Sequence, residues 1–450
     1  MTEGRVFRQL ITFAVPFMLA NILQIVYNLV DMAIVGQFVG SDGLSAVSNG
    51  TDIMHLELLF CMGFANAGQV IISQCVGAKN ADGIRRIVGT LFTVLTIFAV
   101  IVTAVGLIFT DPLLEVLNVP EEALAGARDY VIVCFCGTIF SYGYNLVSAI
   151  LRGMGDSKHP LWFVAIAAVV NLILDLLFVA GFGMGTFGAA LATIIGQAIS
   201  LICSMTYLFR HRDAFGFDFR LRSFIPEKEM LKSLFKLGIP MALQNSAISI
   251  SQLFVLSHIN DCGLVASAVN GVGQKIAQVA MIVTNAINSA SSSMIGQNVA
   301  AEKPERVKRI VYSSFAVNFA FCALLSLIMI LFPEQVFGIF NREPEILAMA
   351  HTYSLIAVLN FFGFGARSPM MALTNGTGAA KLALATGLID GIVARVGLAI
   401  LLGETFGMGI MGFWLGGAFA GYVPFIIGGV YFWSGLWRRV KPVVARRSEE

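Results

Sequence analysis

The sequence predicts an all-α integral membrane protein: twelve transmembrane helices in two six-helix bundles, related by a pseudo-twofold axis along the membrane normal. Three observations lead there. The first is composition: 57% of the 450 residues are hydrophobic and 12% charged, with a mean hydropathy of +0.82, the balance of a membrane chain. The second is run length. Apolar stretches of about 20 residues or more recur along the chain, each able to cross a ~30 Å hydrocarbon core as helix, without the short alternation of a barrel strand. The third is an internal repeat.

Breaks at glycine, proline and charged clusters place the first six spans near 8–37, 44–76, 82–110, 121–150, 160–180 and 187–209. The second six fall near 230–260, 264–297, 304–332, 344–374, 380–402 and 408–437. The N-terminus, MTEGRVFRQLITFAVP, runs from a few basic residues straight into a span without a small-residue cleavage site, so the first span is expected to be a retained helix. Between the sets lies the longest polar stretch, 210–229, the natural linker. The expected domains are therefore a first bundle over 1–209, a cytoplasmic linker over 210–229, a second bundle over 230–437 and a basic cytoplasmic tail over 438–450.

The halves coincide at an offset of about 223 residues. Pro16 and Asn21 correspond to Pro240 and Asn245 at 224, while Gln74 with Gln297, Arg86 with Arg309, Tyr130 with Tyr353 and Lys158 with Lys381 fall at 223. An even number of spans in each half makes both enter from the same side, so the repeat is parallel, and substrate is expected between the halves. Positive residues orient the chain: 24 of the 29 Lys and Arg fall on the side that holds both termini and the linker. The opposite side carries Asp42, Asp111, Glu115, Glu121, Glu122, Asp261, Glu334 and Glu404, with Arg128 and Arg342 as its basic residues. A multi-pass protein of the cell inner (plasma) membrane with both termini cytoplasmic is the expectation. The seven cysteines suggest neither a disulfide framework nor a zinc site, and the net charge of +2 says little about partners.

Ionisable groups inside spans are costly and mark candidate sites. In the first span Asn21, Gln24, Asn28 and Asp31 are spaced three or four apart, an arc of about 80° at 100° per residue, with Tyr27 beside them. The fifth span carries Asn171 and Asp175 one turn apart, and the sixth carries Thr193 and Gln197 in the same relation. Asp31, Asp175 and Thr193 each lie about five or six residues from the outer end of their span, roughly 8 to 9 Å at 1.5 Å per residue. Three spans of one half thus put oxygens at one level. Two carboxylates there cannot both be ionised cheaply, and a proton or a sodium ion held by Asp31, Asn171, Asp175 and Thr193 would relieve the cost. The alternative is that Asp31 simply bonds Asn171 or Thr193 as an interhelical contact. At the repeat offset Asp31 maps to Val255, Asn171 to Ala394 and Asp175 to Leu398, so an acidic site is confined to the first half.

The second half is polar without being acidic on its first two spans: Asn245, Ser249 and Gln252, then Gln274, Gln278, Asn285 and Asn288. These residues either line an aqueous cavity or bond helix to helix. Tyr27, Asn28, Gln24, Asn245, Ser249, Gln274 and Gln278 are the candidate cavity set. Lys275, Arg367, Asp390 and Arg395 are further charges in this half, with Asp390 expected to pair with one of the cations as a structural contact. Glu57, near mid-membrane on the second span with His55 close by, is a candidate second proton site.

The segments LQIVYNLVDMAIVG (23–36) after Pro16, LRGMGDSKHP (151–160), NLILD (171–175) and FGAALAT (187–193), in that order within a duplicated chain, resemble the multidrug and toxic compound extrusion (MATE) family over essentially the whole length. The resemblance implies two bundles around a V-shaped cavity, and export of amphipathic or cationic organic compounds against proton or sodium influx. It implies the first-bundle cation or proton site of the DinF-like branch at Asp31, Asn171, Asp175 and Thr193, and a conformational hinge at Pro16. The NorM-like branch carries acidic ligands in the second bundle, whereas here no acid lies between Glu229 and Asp261. No Walker motif, HExxH or nucleophile elbow occurs at a plausible place, so neither ATP-driven transport nor membrane hydrolysis has support; the resemblance implies a secondary active antiporter and not an enzyme. The expectation includes no cofactor beyond the coupling ion (H+ or Na+), contact with membrane lipid, no nucleic acid partner and a monomeric state. A lipid or polysaccharide-precursor flippase and a non-transporting membrane sensor or binding protein are the alternatives.

Overall fold

The computed structural model describes residues 1–440 and 442; of the basic tail read over 438–450, Lys441 and 443–450 lie outside the described residues. All regular structure among the described residues is helical. The long helices are α1 Val6–Phe38, α2 Ser41–Gly77, α3 Ala81–Val116, α4 Glu121–Met154, α5 Lys158–Gly181 and α6 Gly185–Arg210, then α7 Lys228–Asp261, α8 Leu264–Ala300, α9 Pro304–Leu331, α10 Pro344–Gly376, α11 Ala380–Thr405 and α12 Ile410–Trp433. Each of the spans read from the sequence has its helix.

Local chemistry sets the ends. Asn80 caps α3 by accepting from the Gly83 N–H at 2.8 Å. Gly155, at φ +97°, ends α4 in the left-handed conformation that glycine adopts without a Cβ penalty. Asp156 Oδ1 then accepts from the backbone N–H groups of Lys158 and His159 at 3.0 and 3.2 Å and opens α5. Pro304 and Pro344 stand in the first turns of α9 and α10, where a missing N–H costs nothing.

Eleven of these helices are long and apolar enough to cross a membrane by composition alone. The exception is α8, 37 residues long. Its polar side chains Asn270, Thr284, Ser291, Ser293, Gln297 and Asn298 are buried, and it packs against α9 and α10. Polar side chains packed against neighbouring helices do not need the apolar surface that lipid demands.

The chain forms two compact units, Val15–Gly238 and Met1–Ala14 with Ile239–Glu450. The boundaries fall after Ala14 and after Gly238, one residue short of Pro16 and Pro240 respectively, at the repeat offset. Each proline lies inside its helix, α1 or α7, and removes one backbone donor there. In the unit that contains Met1–Ala14, the Met1 amino group donates to Gln297 Oε1 at 2.9 Å and Arg306 donates to the carbonyls of Met1, Glu3 and Gly4. Val6, Leu10 and Phe13 join the core built on Met294, Val307 and Leu373. In the other unit, the start of α7 sets Phe235 against Phe64 and Phe98, with ring centroids 5.3 and 6.0 Å apart.

The polar linker is more ordered than its composition suggests. Its phenylalanines form a cluster on α3: Phe217 and Phe224 lie 6.2 and 5.7 Å from Phe92, and Phe217 is fully buried. Thr93 donates to the Phe224 carbonyl at 2.5 Å, and Arg86 donates to both carboxylate oxygens of Glu227 at 2.8 and 3.0 Å. Ser223 donates to Asp218 at 2.5 Å, which holds that half-buried carboxyl below the usual carboxylate range. The linker approaches α3 so closely that a Cβ on Gly89 would collide with the Ser223 carbonyl. Gly89→Leu is therefore expected to cost about 1–3 kcal/mol through overpacking. Limited trypsin digestion checks this: cleavage after Arg220 and Arg222 is expected to accelerate in the variant, and an unchanged digestion pattern would show that the linker does not depend on this contact.

Candidate functional site

In the unit Val15–Gly238, Asp31 of α1 is 7% exposed and Asp175 of α5 1% exposed. Asp31 lies close enough to Asp175 for their charges to interact. Neither carboxylate is satisfied: Asp31 Oδ1 and both oxygens of Asp175 are buried without a hydrogen-bond partner. Buried polar atoms are met in the great majority of cases, so three orphaned acceptors in one place call for a proton or a cation. Asn171, 3% exposed, donates from Nδ2 to Thr193 Oγ1 at 3.4 Å. This bond joins α5 to α6 and leaves Asp31 Oδ1 unpaired, unlike the interhelical contact held open from the sequence.

The helix departs from regular α geometry immediately after Asp175. The segment Leu176–Gly181 that follows is a π-helix, with its bonds running to the fifth residue. Such a turn widens the helix and re-aims the side chains at its entrance, and it recurs at functional sites. The counterpart in the second unit is Leu401–Thr405, which overlaps the same stretch at the repeat offset.

Two α4 residues complete the surroundings. Tyr130 and Cys134, both buried, lie within electrostatic reach of Asp31, and the Tyr130 hydroxyl stands 3.5 Å from Thr51 Oγ1. In the sequence Tyr130 was visible only as a repeat marker, and nothing local to it signals a place beside Asp31. Cys134 also feels the charge of Glu57. Glu57 is half-buried on α2 with Oε2 unpaired, and its backbone carbonyl accepts from the Tyr142 hydroxyl at 3.1 Å. Gln197 bonds Ser141 and so ties α6 to α4. Tyr27 is half-buried beside Gln24 and Tyr144, whereas Gln24 and Asn28 are exposed. Pro16 lies within α1, next to the boundary of the unit.

The second unit gathers a different set. Asp390 pairs with two cations, Arg395 at 3.0 Å and Arg367 at 3.9 Å, where the sequence led us to expect one. Lys275 stands apart, exposed, with its ammonium 5.9 Å from the Phe340 ring centre. A partly open cleft, with about 680 Å³ of empty space once open solvent is included, is lined by residues such as Gln252, Asn270, Gln274, Asn360 and Arg395. Val255, the repeat counterpart of Asp31, lines it too. Gln274 of the candidate cavity set is part of this lining; Asn245 and Ser249, both half-buried, and Gln278, exposed, are not. Among the described residues no three His, Cys, Asp or Glu side chains gather as a metal centre, so a cation at Asp31 and Asp175 would rely on neutral oxygens for its remaining ligands.

Tandem helical units that bury ionisable groups where a membrane would surround them are the build of a secondary membrane transporter. The sequence profile of the MatE family matches residues 16–177 and 240–414, one copy in each half, and the chain belongs to that family. It is similar to the probable multidrug resistance protein YoeA of Bacillus subtilis (strain 168), 28% identical over 445 residues that cover 97% of this chain and 96% of that protein. The probable multidrug resistance protein YpnP of the same organism is 29% identical over 443 residues, 98% of each chain. Among solved structures, the crystal structure of MATE in the bent conformation superposes with a TM-score of 0.86 at 23% identity, covering 99% of this chain and 97% of that one.

Asp175→Asn tests whether the orphaned carboxylates hold a cation. In the wild type a ligand that binds only the folded state raises the melting temperature, by about 2.7 kcal/mol of stabilisation at one hundred times its dissociation constant. The purified wild type is expected to melt several degrees higher on addition of sodium or on acidification. The variant is expected to lose that response without melting lower than the wild type in sodium-free buffer at alkaline pH. A full response in the variant would place the cation elsewhere.

Proposed function

We propose that this protein is a secondary active antiporter that exports amphipathic or cationic organic compounds in exchange for H+ or Na+, with coupling carried by the Asp31 and Asp175 pair. The observation that supports this most directly is the group of three unpaired, buried carboxylate oxygens on α1 and α5. Asn171 and Thr193 supply neutral oxygens beside them, and Glu57 serves as a second protonatable group on α2. Membership of the MatE family and similarity to two proteins named for multidrug resistance support the class of cargo.

With the pair ionised, the protein accepts an organic cation or a neutral amphipath from the cytoplasmic side or the inner leaflet. A proton or sodium ion moving inward then neutralises the pair. The carboxylates no longer repel, α1 and α5 approach, and the strain is taken up at Pro16, where the Thr12 carbonyl lacks its usual helical donor. Inward movement of one positive charge supplies about 2.3 kcal/mol per 100 mV, enough to drive export against a meaningful gradient. The protein works as a monomer in the plasma membrane with both termini cytoplasmic, the side on which its lysines and arginines concentrate.

Dye efflux from proteoliposomes under separately imposed proton and sodium gradients tests the reading. One of the two gradients is expected to drive efflux, and Asp31→Asn is expected to reduce that gradient-driven rate at least a hundredfold while reconstituting normally. Undiminished efflux in the variant would sink the assignment.

A further inference from the structure

The cavity in the unit that contains Ile239–Glu450 has a polarity opposite to that of the Asp31 site. Arg395, 6% exposed, lines it, and no carboxylate does among the described residues. The guanidinium is only partly satisfied. Its Nη2 donates to Asp390 at 3.0 Å and its Nη1 to the Gly417 carbonyl at 3.4 Å, but the buried Nε has no partner. Arg367 shares the same aspartate at 3.9 Å, so two guanidiniums face one carboxylate and the cluster keeps one positive charge. A charge withdrawn from water needs a counter-charge or a ligand.

The neighbouring donor is oriented by geometry. Trp414 Nε1 donates to Asn270 Oδ1 at 3.2 Å. An indole N–H only donates, so it fixes the carbonyl end of Asn270 toward Trp414 and leaves the amide N–H groups for the cavity. Gln252, Gln274 and Asn360 add neutral amides, and Tyr353 and Trp414 add aromatic walls. The π-helical segment Ile389–Val396 carries both Asp390 and Arg395, so the widened turn holds the pair together, with Arg395 in the cavity wall and Asp390 buried behind it.

We propose that this cavity binds the anionic head of an amphipathic organic monoanion, with Arg395 as its charge partner, Asn270 as a neutral donor and the aromatic wall against its apolar body. One uncompensated positive charge matches a carboxylate or a singly charged phosphodiester and falls short of a pyrophosphate. The two units therefore hold ligands of opposite sign, a cation at Asp31 and Asp175 and an anion at Arg395. The anion site goes beyond the coupling mechanism, and because it is read at equilibrium without a gradient, either can fail while the other stands.

The test uses the full-length protein in phosphatidylcholine nanodiscs, with 2-naphthoate as the probe, 2-naphthamide as its neutral analogue and 2-naphthylmethylammonium as its cationic one. Tryptophan quenching and thermal shift report binding. The wild type is expected to bind naphthoate at least tenfold more tightly than either analogue. Arg395→Gln is expected to erase that preference. Val255→Asp places a carboxylate on the cavity wall at the position of Asp31 in the repeat; it is expected to erase the preference while keeping a monodisperse profile and near-normal melting, and it carries the test if the arginine variant folds poorly. Absence of a preference for naphthoate in the wild type, or its survival in a folded variant, overturns the proposal. Nanodiscs with phosphatidylglycerol separate the sources: competition with naphthoate identifies a lipid headgroup as the native occupant, and equal affinity in both lipids identifies a soluble organic carboxylate.

Discussion

A charge that has left water must be met by something inside the fold, and in this protein that requirement is left partly open in each unit. Placing an aspartate or arginine at the centre of a membrane helix costs about 2.5–3.5 kcal/mol on insertion scales. Asp31 and Asp175 carry that cost with three carboxylate oxygens unpaired. The Arg367, Asp390 and Arg395 cluster carries it with two guanidiniums sharing one carboxylate and the Nε of Arg395 unpaired. The π-turns, the polar α8 and the neutral amides near both clusters have meaning in relation to these charges. They set geometry around groups that the fold itself leaves incompletely paired.

The repeat shows which features packing demands and which are free to change. Pro16 and Pro240 sit at the unit boundaries, and Tyr130 and Tyr353 occupy matching places, one near Asp31 and the other on the wall of the second cavity. Helix count and interior packing are shared because every span has to bury the same kind of face. The ionisable groups are not shared. Asp31 has Val255 as its counterpart and Asp175 has Leu398, whereas Arg395 and Arg367 correspond to Leu172 and Tyr144 at the same offset. Duplication thus supplied one framework, and substitution at a few interior positions gave each copy its own sign of charge.

Much of the fold was legible because its signals are local. Length, hydropathy and glycine or proline breaks located each span within a few residues, since a helix in lipid must satisfy its own backbone and show apolar side chains outward. The one helix that composition undervalues, α8, buries many of its polar side chains against neighbouring helices such as α9 and α10, and such packing is not a local property. The linker was read as polar from its charges, yet Phe217 and Phe224 anchor it on α3. Aromatics interleaved with arginines carry no periodic signal, so their burial depended on which surface lay opposite. Asp31, Asn171, Asp175 and Thr193 were each recognisable as polar residues at shared depth. Tyr130 and Cys134 were not, because an ordinary tyrosine and cysteine in an apolar helix look like packing.

By itself the sequence determined the class of protein, its duplication, the count of long helices and the confinement of paired acids to the first half, all of which follow from composition and short-range spacing. Only the tertiary structure decided that Asn171 bonds Thr193 and leaves Asp31 Oδ1 unpaired, that Asp390 serves two arginines, and that Val255 stands on the wall of a cavity with Arg395. It also decided that Met1–Ala14 packs with residues nearly three hundred positions away, through contacts such as that of Met1 with Gln297. The reason is physical: spacing along a helix fixes which side chains share a face, but whether a polar atom finds a partner depends on the neighbouring helices that the folded chain brings to that face.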